Sequence, residues 1–251
     1  AASDVYRGQE VGWLAHGALH GQPGLSFCGF DSFRVLRGVV LDSSQPLQIR
    51  VLAGTASRQG DQVTIPVELH SRNAQGGEVI HARAQVLLAN AQPAAESPMT
   101  PPELQPYDDD ISTIYTRHLF HGPALQCIEA VEGCGQDGIV GRLRAAPAPA
   151  RWLDQPLRST WLSDPLVIDG VFQLLILWSQ HQHGAASLPC SVERYRQFMP
   201  RFPATGTRIV ARVIENGQQR AVSNVDILPS AVRLMTLISG SVGRGYCGYY
   251  P

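Results

Sequence analysis

Hydrophobic and polar positions alternate with a period of two through much of this chain, and they do so most clearly in one place. Val63, Ile65, Val67 and Leu69 face Ile80, Ala82, Ala84, Val86 and Leu88 across a turn at 73–77. That pattern predicts a long antiparallel hairpin, with Pro66 marking an edge position or a bulge. Further strands are predicted over 33–41 and 47–53. A second set is predicted over 125–131, 139–143, 192–198, 207–214, 221–228 and 231–238, with Asn216-Gly217 as a turn between two of them. Helical spacing appears at 11–19, ended by Gly21 and Pro23 and weakened by Gly12 and Gly17.

The stretch 165–178 differs from all of these. After Gly170 almost every residue is large and apolar, so a helix here is apolar on nearly all sides and belongs in the interior. It is expected to end near Gly184, with His181 and His183 at its negative end. Two polar residues interrupt its start, Asp169 and Gln173. Four positions apart, they share one face. An unpaired carboxylate in an apolar interior costs several kcal/mol or more, on the order of a whole domain's margin, unless it is neutralised or hydrogen-bonded. Asp169 therefore reads as a functional acid or as the cap of the helix, since Asp before an apolar run is also a start signal.

Prolines crowd 91–110, which predicts a stiff, extended connector. It divides the chain into 1–92, a linker at 93–110, a second unit at 111–240 and a tail at 241–251. Both units read as a helix, a strand and a long antiparallel meander, a weak duplication of pattern. One helix against one antiparallel sheet, made twice, is an α+β architecture.

Composition narrows the function. The 251 residues are 44% hydrophobic and 16% charged, with net charge −1, which excludes a dedicated nucleic-acid or membrane surface. Five scattered cysteines lack any Cys-x-x-Cys pair and point to a reducing, cytoplasmic setting without disulfides or structural zinc. No apolar run reaches membrane-spanning length. Gly133-x-Gly135-x-x-Gly138 has dinucleotide-loop spacing, but a strand pattern follows where that loop needs a helix, so it reads as a hairpin turn. His118 with His121, and His181 with His183, lack a third ligand nearby in sequence; no metal or cofactor is expected.

Four stretches carry a family resemblance. Leu119-Phe-His-Gly-Pro-Ala-Leu-Gln126 resembles the Tyr-x-Tyr-Gly-Pro-x-Phe motif of polyketide synthase dehydratase domains. Asp169-Gly-Val-Phe-Gln173 resembles their Asp-x-x-x-Gln/His helix motif, and Leu188-Pro-Cys-Ser-Val-Glu-Arg-Tyr-Arg196 the strand after it. Phe33-Arg-Val-Leu-Arg-Gly-Val-Val-Leu-Asp42 is similar to a first-half strand of the polyunsaturated fatty acid synthase branch. The resemblance implies a double hot-dog fold and a lyase that removes water from a 3-hydroxyacyl chain on acyl carrier protein. It implies Asp169 as the acid, Gln173 as its hydrogen-bonding neighbour, and His121, Gly122, Pro123 and Phe172 as substrate-binding residues. The implied partners are acyl carrier protein with its phosphopantetheine-linked chain and the neighbouring synthase domains, with homodimerisation left open.

One expected part is missing. The family's base is a histidine in His-x-x-x-Gly-x-x-x-x-Pro, ahead of the first helix, and neither His16 nor His20 fits that spacing. The first unit thus reads as truncated or degenerate. A non-catalytic double hot dog that binds acyl chains or scaffolds the synthase is the alternative. An acyl thioesterase is disfavoured by the Gly-Pro and Asp-x-x-x-Gln pair.

Overall fold

The computed structural model describes residues 24–39, 46–217, 220–228 and 232–239. The helix expected at 11–19, with His16 and His20, lies outside them, as do the tail and Cys247. Eleven antiparallel strands among the described residues form one sheet: β1 (Ser26–Val35), β2 (Arg50–Ala53), β3 (Ser57–Gln59), β4 (Gln62–Arg72), β5 (Glu78–Ala89), β6 (Ile128–Gly135), β7 (Gly138–Leu143), β8 (Leu188–Gln197), β9 (Thr207–Asn216), β10 (Arg220–Leu228) and β11 (Val232–Ser239). The order is β2-β4-β5-β1-β8-β11-β10-β9-β7-β6, with β3 beside β4.

The two halves expected from the sequence share this sheet. Their seam is the antiparallel pairing of β1 with β8, in which Phe30 lies opposite Tyr195. The two rings stack at 4.8 Å, and the salt bridge of Asp31 with Arg196 crosses the same seam. The hairpin of β4 and β5 forms as the alternation predicts, with Val63, Ile65, Val67, Val86 and Leu88 buried. Pro66 corrects one expectation. It stands on an interior strand, where the outer neighbour of β4 changes from β3, whose pairing reaches Thr64, to β2, whose pairing begins at Val67. The Pro66 carbonyl accepts the Gly54 N–H there at 2.8 Å, and proline, having no N–H, returns no bond.

The one long helix among the described residues, Pro165–His183, is buried along nearly its whole length against β6, β7 and β9. Trp178 anchors its second half by donating its indole N–H to the carbonyls of Gly135 and Gln136. Gly184, in the left-handed region, ends it. Among the described residues no helix is long and apolar enough to cross a membrane.

The proline-rich connector is extended, and the second half holds it. Arg233 donates to the carbonyl of Ser97, Asp226 accepts from the N–H of Met99, and Gln105 bridges to Cys134. This contact explains the glycine-rich hairpin without a phosphate. A Cβ on Gly135 would lie 2.1 Å from the carbonyl oxygen of Glu103, so the connector crosses where only glycine leaves room.

Candidate active site

The site is built at the beginning of the long helix, and its first cause is the residue before the helix. Asp164 is the N-cap: its Oδ1 accepts from the N–H groups of Leu166 and Val167, and its Oδ2 from Ala146. Pro165 follows at the position where a missing N–H is harmless. The capping role that the sequence allowed for Asp169 thus belongs to Asp164. Asp169 lies beyond the first turn, with 4% of its surface exposed. Burial without a capping duty is what the functional reading of Asp169 requires.

Gly170 explains how the helix comes so close to the sheet here. A Cβ at this position would be 2.6 Å from both Cys127 Sγ and Leu143 Cδ1. The Asp-Gly pair therefore joins a buried carboxyl to a closely packed backbone.

Gln173, fully buried, lies one turn below Asp169 and donates through Nε2 to Asp169 Oδ2 at 2.8 Å. The same Nε2 donates to the carbonyl of Leu125 at 2.8 Å, and Oε1 accepts from the Tyr115 hydroxyl at 2.8 Å. The Tyr115 oxygen in turn accepts the backbone N–H of Ile128. These bonds fix the amide's orientation, because a flipped amide would set Oε1 against two acceptors. Burial pushes the Tyr115 phenol well above its ordinary pKa, so it remains a donor.

Sequence reasoning misses Tyr115. It is carried by Ile114–His118, a π-helical turn after the short helix Ile111–Thr113, in which the Leu119 N–H reaches back to Ile114. Such widened turns recur at functional sites. A lone tyrosine ahead of a glycine-proline turn carries no local signal of that role.

The segment Leu119 to Gln126 delivers the other side of the site. It precedes β6: Gly122 and Pro123 open a single 3-10 turn, Pro123–Leu125, that presents the Leu125 carbonyl to Gln173. Gly122 and Pro123 are exposed, while His121 is 6% exposed. Phe172, half-buried, packs at the edge of the core. His121 Nε2 lies 3.5 Å from Asp169 Oδ2, an electrostatic contact longer than a hydrogen bond. Its ring stacks on exposed Phe120 at 4.5 Å. Burial pulls the His121 pKa below its ordinary value, against the opposing pull of the Asp169 carboxylate. The Cys127 thiol, also beside Asp169, is pushed up by burial and by that carboxylate. The structure thus brings Asp169, Gln173 and His121 together; Gly122 and Pro123 follow His121 in the chain, and Phe172 precedes Gln173 on the helix.

The remaining histidine pairs have other partners. His118 meets Asp109 at 2.9 Å and His183 meets Asn216 at 2.9 Å, and no metal-holding cluster occurs among the described residues.

Comparison with known proteins shows the family. A family model described as the polyketide synthase dehydratase N-terminal domain matches residues 89–242. The chain belongs to the polyketide synthase dehydratase family. A polyunsaturated fatty acid synthase polypeptide of Thraustochytrium sp. (strain ATCC 26185 / S-3) is 30% identical over 195 residues, covering 76% of this chain and 7% of that protein. Among solved structures, a trans-AT polyketide synthase dehydratase domain from Brevibacillus brevis superposes with TM-score 0.69 and 16% identity, over 94% of this chain and 83% of that one. The dehydratase domain of the CurF module of curacin polyketide synthase gives TM-score 0.68 and 13% identity over 94% and 81%. The dehydratase domain of PpsC from Mycobacterium tuberculosis gives 0.66 and 18%, again over 94% and 81%. The fold is the α+β double hot-dog of these dehydratase domains, with the second helix central among the described residues.

Proposed function

We propose that this domain removes water from a 3-hydroxyacyl thioester held on the phosphopantetheine arm of acyl carrier protein, leaving a 2-enoyl thioester, and works beside the neighbouring domains of a synthase. The observation that carries this reading is the buried Asp169 carboxyl, with Gln173 fixed on one of its oxygens.

Hydroxide is a poor leaving group, so the C3 hydroxyl must receive a proton as its bond to carbon breaks. Asp169 gives that proton. Gln173 holds that carboxyl in place through Oδ2. Gly122, Pro123 and Phe172 bound the path of the acyl chain. The C2 proton goes to a base contributed by the first half, and the negative charge that develops on the thioester carbonyl calls for backbone N–H donors.

A non-catalytic acyl-binding or scaffolding domain is the second reading, favoured by one observation: the sequence has no His-x-x-x-Gly-x-x-x-x-Pro. Incubation with 3-hydroxyacyl carrier protein separates the two. Dehydration predicts the mass of the acyl group to fall by one water; the second reading predicts binding with no change in mass.

A further inference from the structure

A buried acid that gives up a proton in each turnover must get it back. Asp169 is 4% exposed, so the route matters. The described groups around it differ in what they can carry. The Gln173 Nε2 hydrogens are committed to Leu125 and Asp169, and its Oε1 to Tyr115. The Tyr115 hydroxyl is committed to Gln173 and Ile128, and burial opposes its ionisation. The Cys127 thiol is fully buried and also resists ionisation. His121 is different. It has two ring nitrogens, one 3.5 Å from Asp169 Oδ2 and the other, Nδ1, buried and without a hydrogen-bond partner among the described residues. An imidazole can accept at one nitrogen and donate at the other, and near neutral pH it does so readily.

From this geometry we infer that His121 is the proton-supply residue of Asp169. The inference rests on the dehydratase reading. After Asp169 has given its proton to the departing hydroxyl, Nε2–H of His121 passes a proton to the carboxylate, while Nδ1, buried in the resting site, takes one from water admitted as the product leaves. The ring is left as its Nδ1–H tautomer and returns by exchange with solvent. The C2 proton leaves from the base to solvent, so the cycle closes with one water released per thioester. A neutral imidazole is the form this step needs, and burial favours it. The gap to Asp169 closes with a small ring movement, since catalytic hydrogen bonds often tighten only with substrate in place. His121 acts through Asp169 and need not touch the acyl chain.

Rapid-quench dehydration of 3-hydroxyacyl carrier protein tests this with wild type and His121→Gln. Expected is a first turnover within about twofold of wild type, because Asp169 starts loaded, followed by a steady state slower by on the order of tenfold or more and restored by added imidazole. A first turnover slowed as much as the steady state makes His121 a mere support and overturns the inference. So does a variant equal to wild type in both phases. In either case a wild type that removes water keeps the dehydratase reading intact; a wild type that removes none overturns that reading and the inference with it. A second measurement guards against a variant that fails to fold. NMR of labelled histidine in the native protein should find the His121 ring neutral, with its proton on Nε2, at the pH of turnover. A ring that is charged there, or that carries its proton on Nδ1, overturns the inference.

Discussion

The Tyr115 hydroxyl donates to Gln173 Oε1 at 2.8 Å while its oxygen accepts the Ile128 N–H at 2.8 Å. Through this relationship a residue acting from behind Gln173 decides which atom of that amide faces Asp169. The Tyr115→Phe substitution leaves two buried groups short of a partner, which costs about 1–3 kcal/mol in denaturant unfolding. It also frees the Gln173 amide to turn. Turnover of a 3-hydroxyacyl carrier protein should fall with little change in KM. The same substitution on a Gln173→Ala background should add little further loss, because the two residues act as one unit. Additive losses would contradict the coupling.

Gly170 gives a prediction in which two effects oppose each other. Alanine is the better helix former by about 1 kcal/mol. Its Cβ, however, would be 2.6 Å from Cys127 Sγ and Leu143 Cδ1, and overpacking costs about 1–3 kcal/mol. Packing should prevail, so Gly170→Ala lowers the thermal midpoint. Adding Cys127→Ala, which removes one of the two clashes, should recover part of the loss.

These positions also show what is legible in the sequence. The buried helix is visible because its apolar residues surround it, and Asp169 and Gln173 stand out by being polar on a shared face. The β4–β5 hairpin is visible in the alternation that its buried face requires. The cap is not so easily read. Asp164 directly before Pro165 is the better start signal, but the long apolar run points to the next acid along. The seam of β1 with β8 is not readable at all, because it joins residues more than 150 positions apart and no local period reports a partner. Tyr115 is hidden for a similar reason: its role is set by three segments meeting, the π-helical turn, the start of β6 and the long helix.

Asp164 yields a pH prediction. Burial raises its pKa above the ordinary value near 3.8, against the lowering effect of its three backbone N–H donors. A carboxyl raised in the folded state contributes stability below its unfolded pKa, and that contribution is lost as pH rises through the folded pKa. Asp164→Asn keeps an acceptor for the helix N–H groups but turns a donor toward Ala146, so it should be less stable than wild type in acid, by about 1–3 kcal/mol. The gap should narrow as pH rises through the carboxylate range, because only wild type loses stability there. Urea unfolding at a series of pH values measures it, and a gap that widens with pH would contradict the burial argument. Asp164→Ala, which removes the cap entirely, should cost a further ~0.5–2 kcal/mol.

The central claim is that Asp169 supplies the proton that lets hydroxide leave, and mass spectrometry of a 3-hydroxyacyl carrier protein incubated with wild type and with Asp169→Asn tests it most directly. Asparagine preserves size and hydrogen-bonding capacity but has no acidic proton to give. The account predicts loss of one water with wild type and a rate lower by about 10²–10⁴-fold with Asp169→Asn. Equal dehydration by both proteins would contradict it.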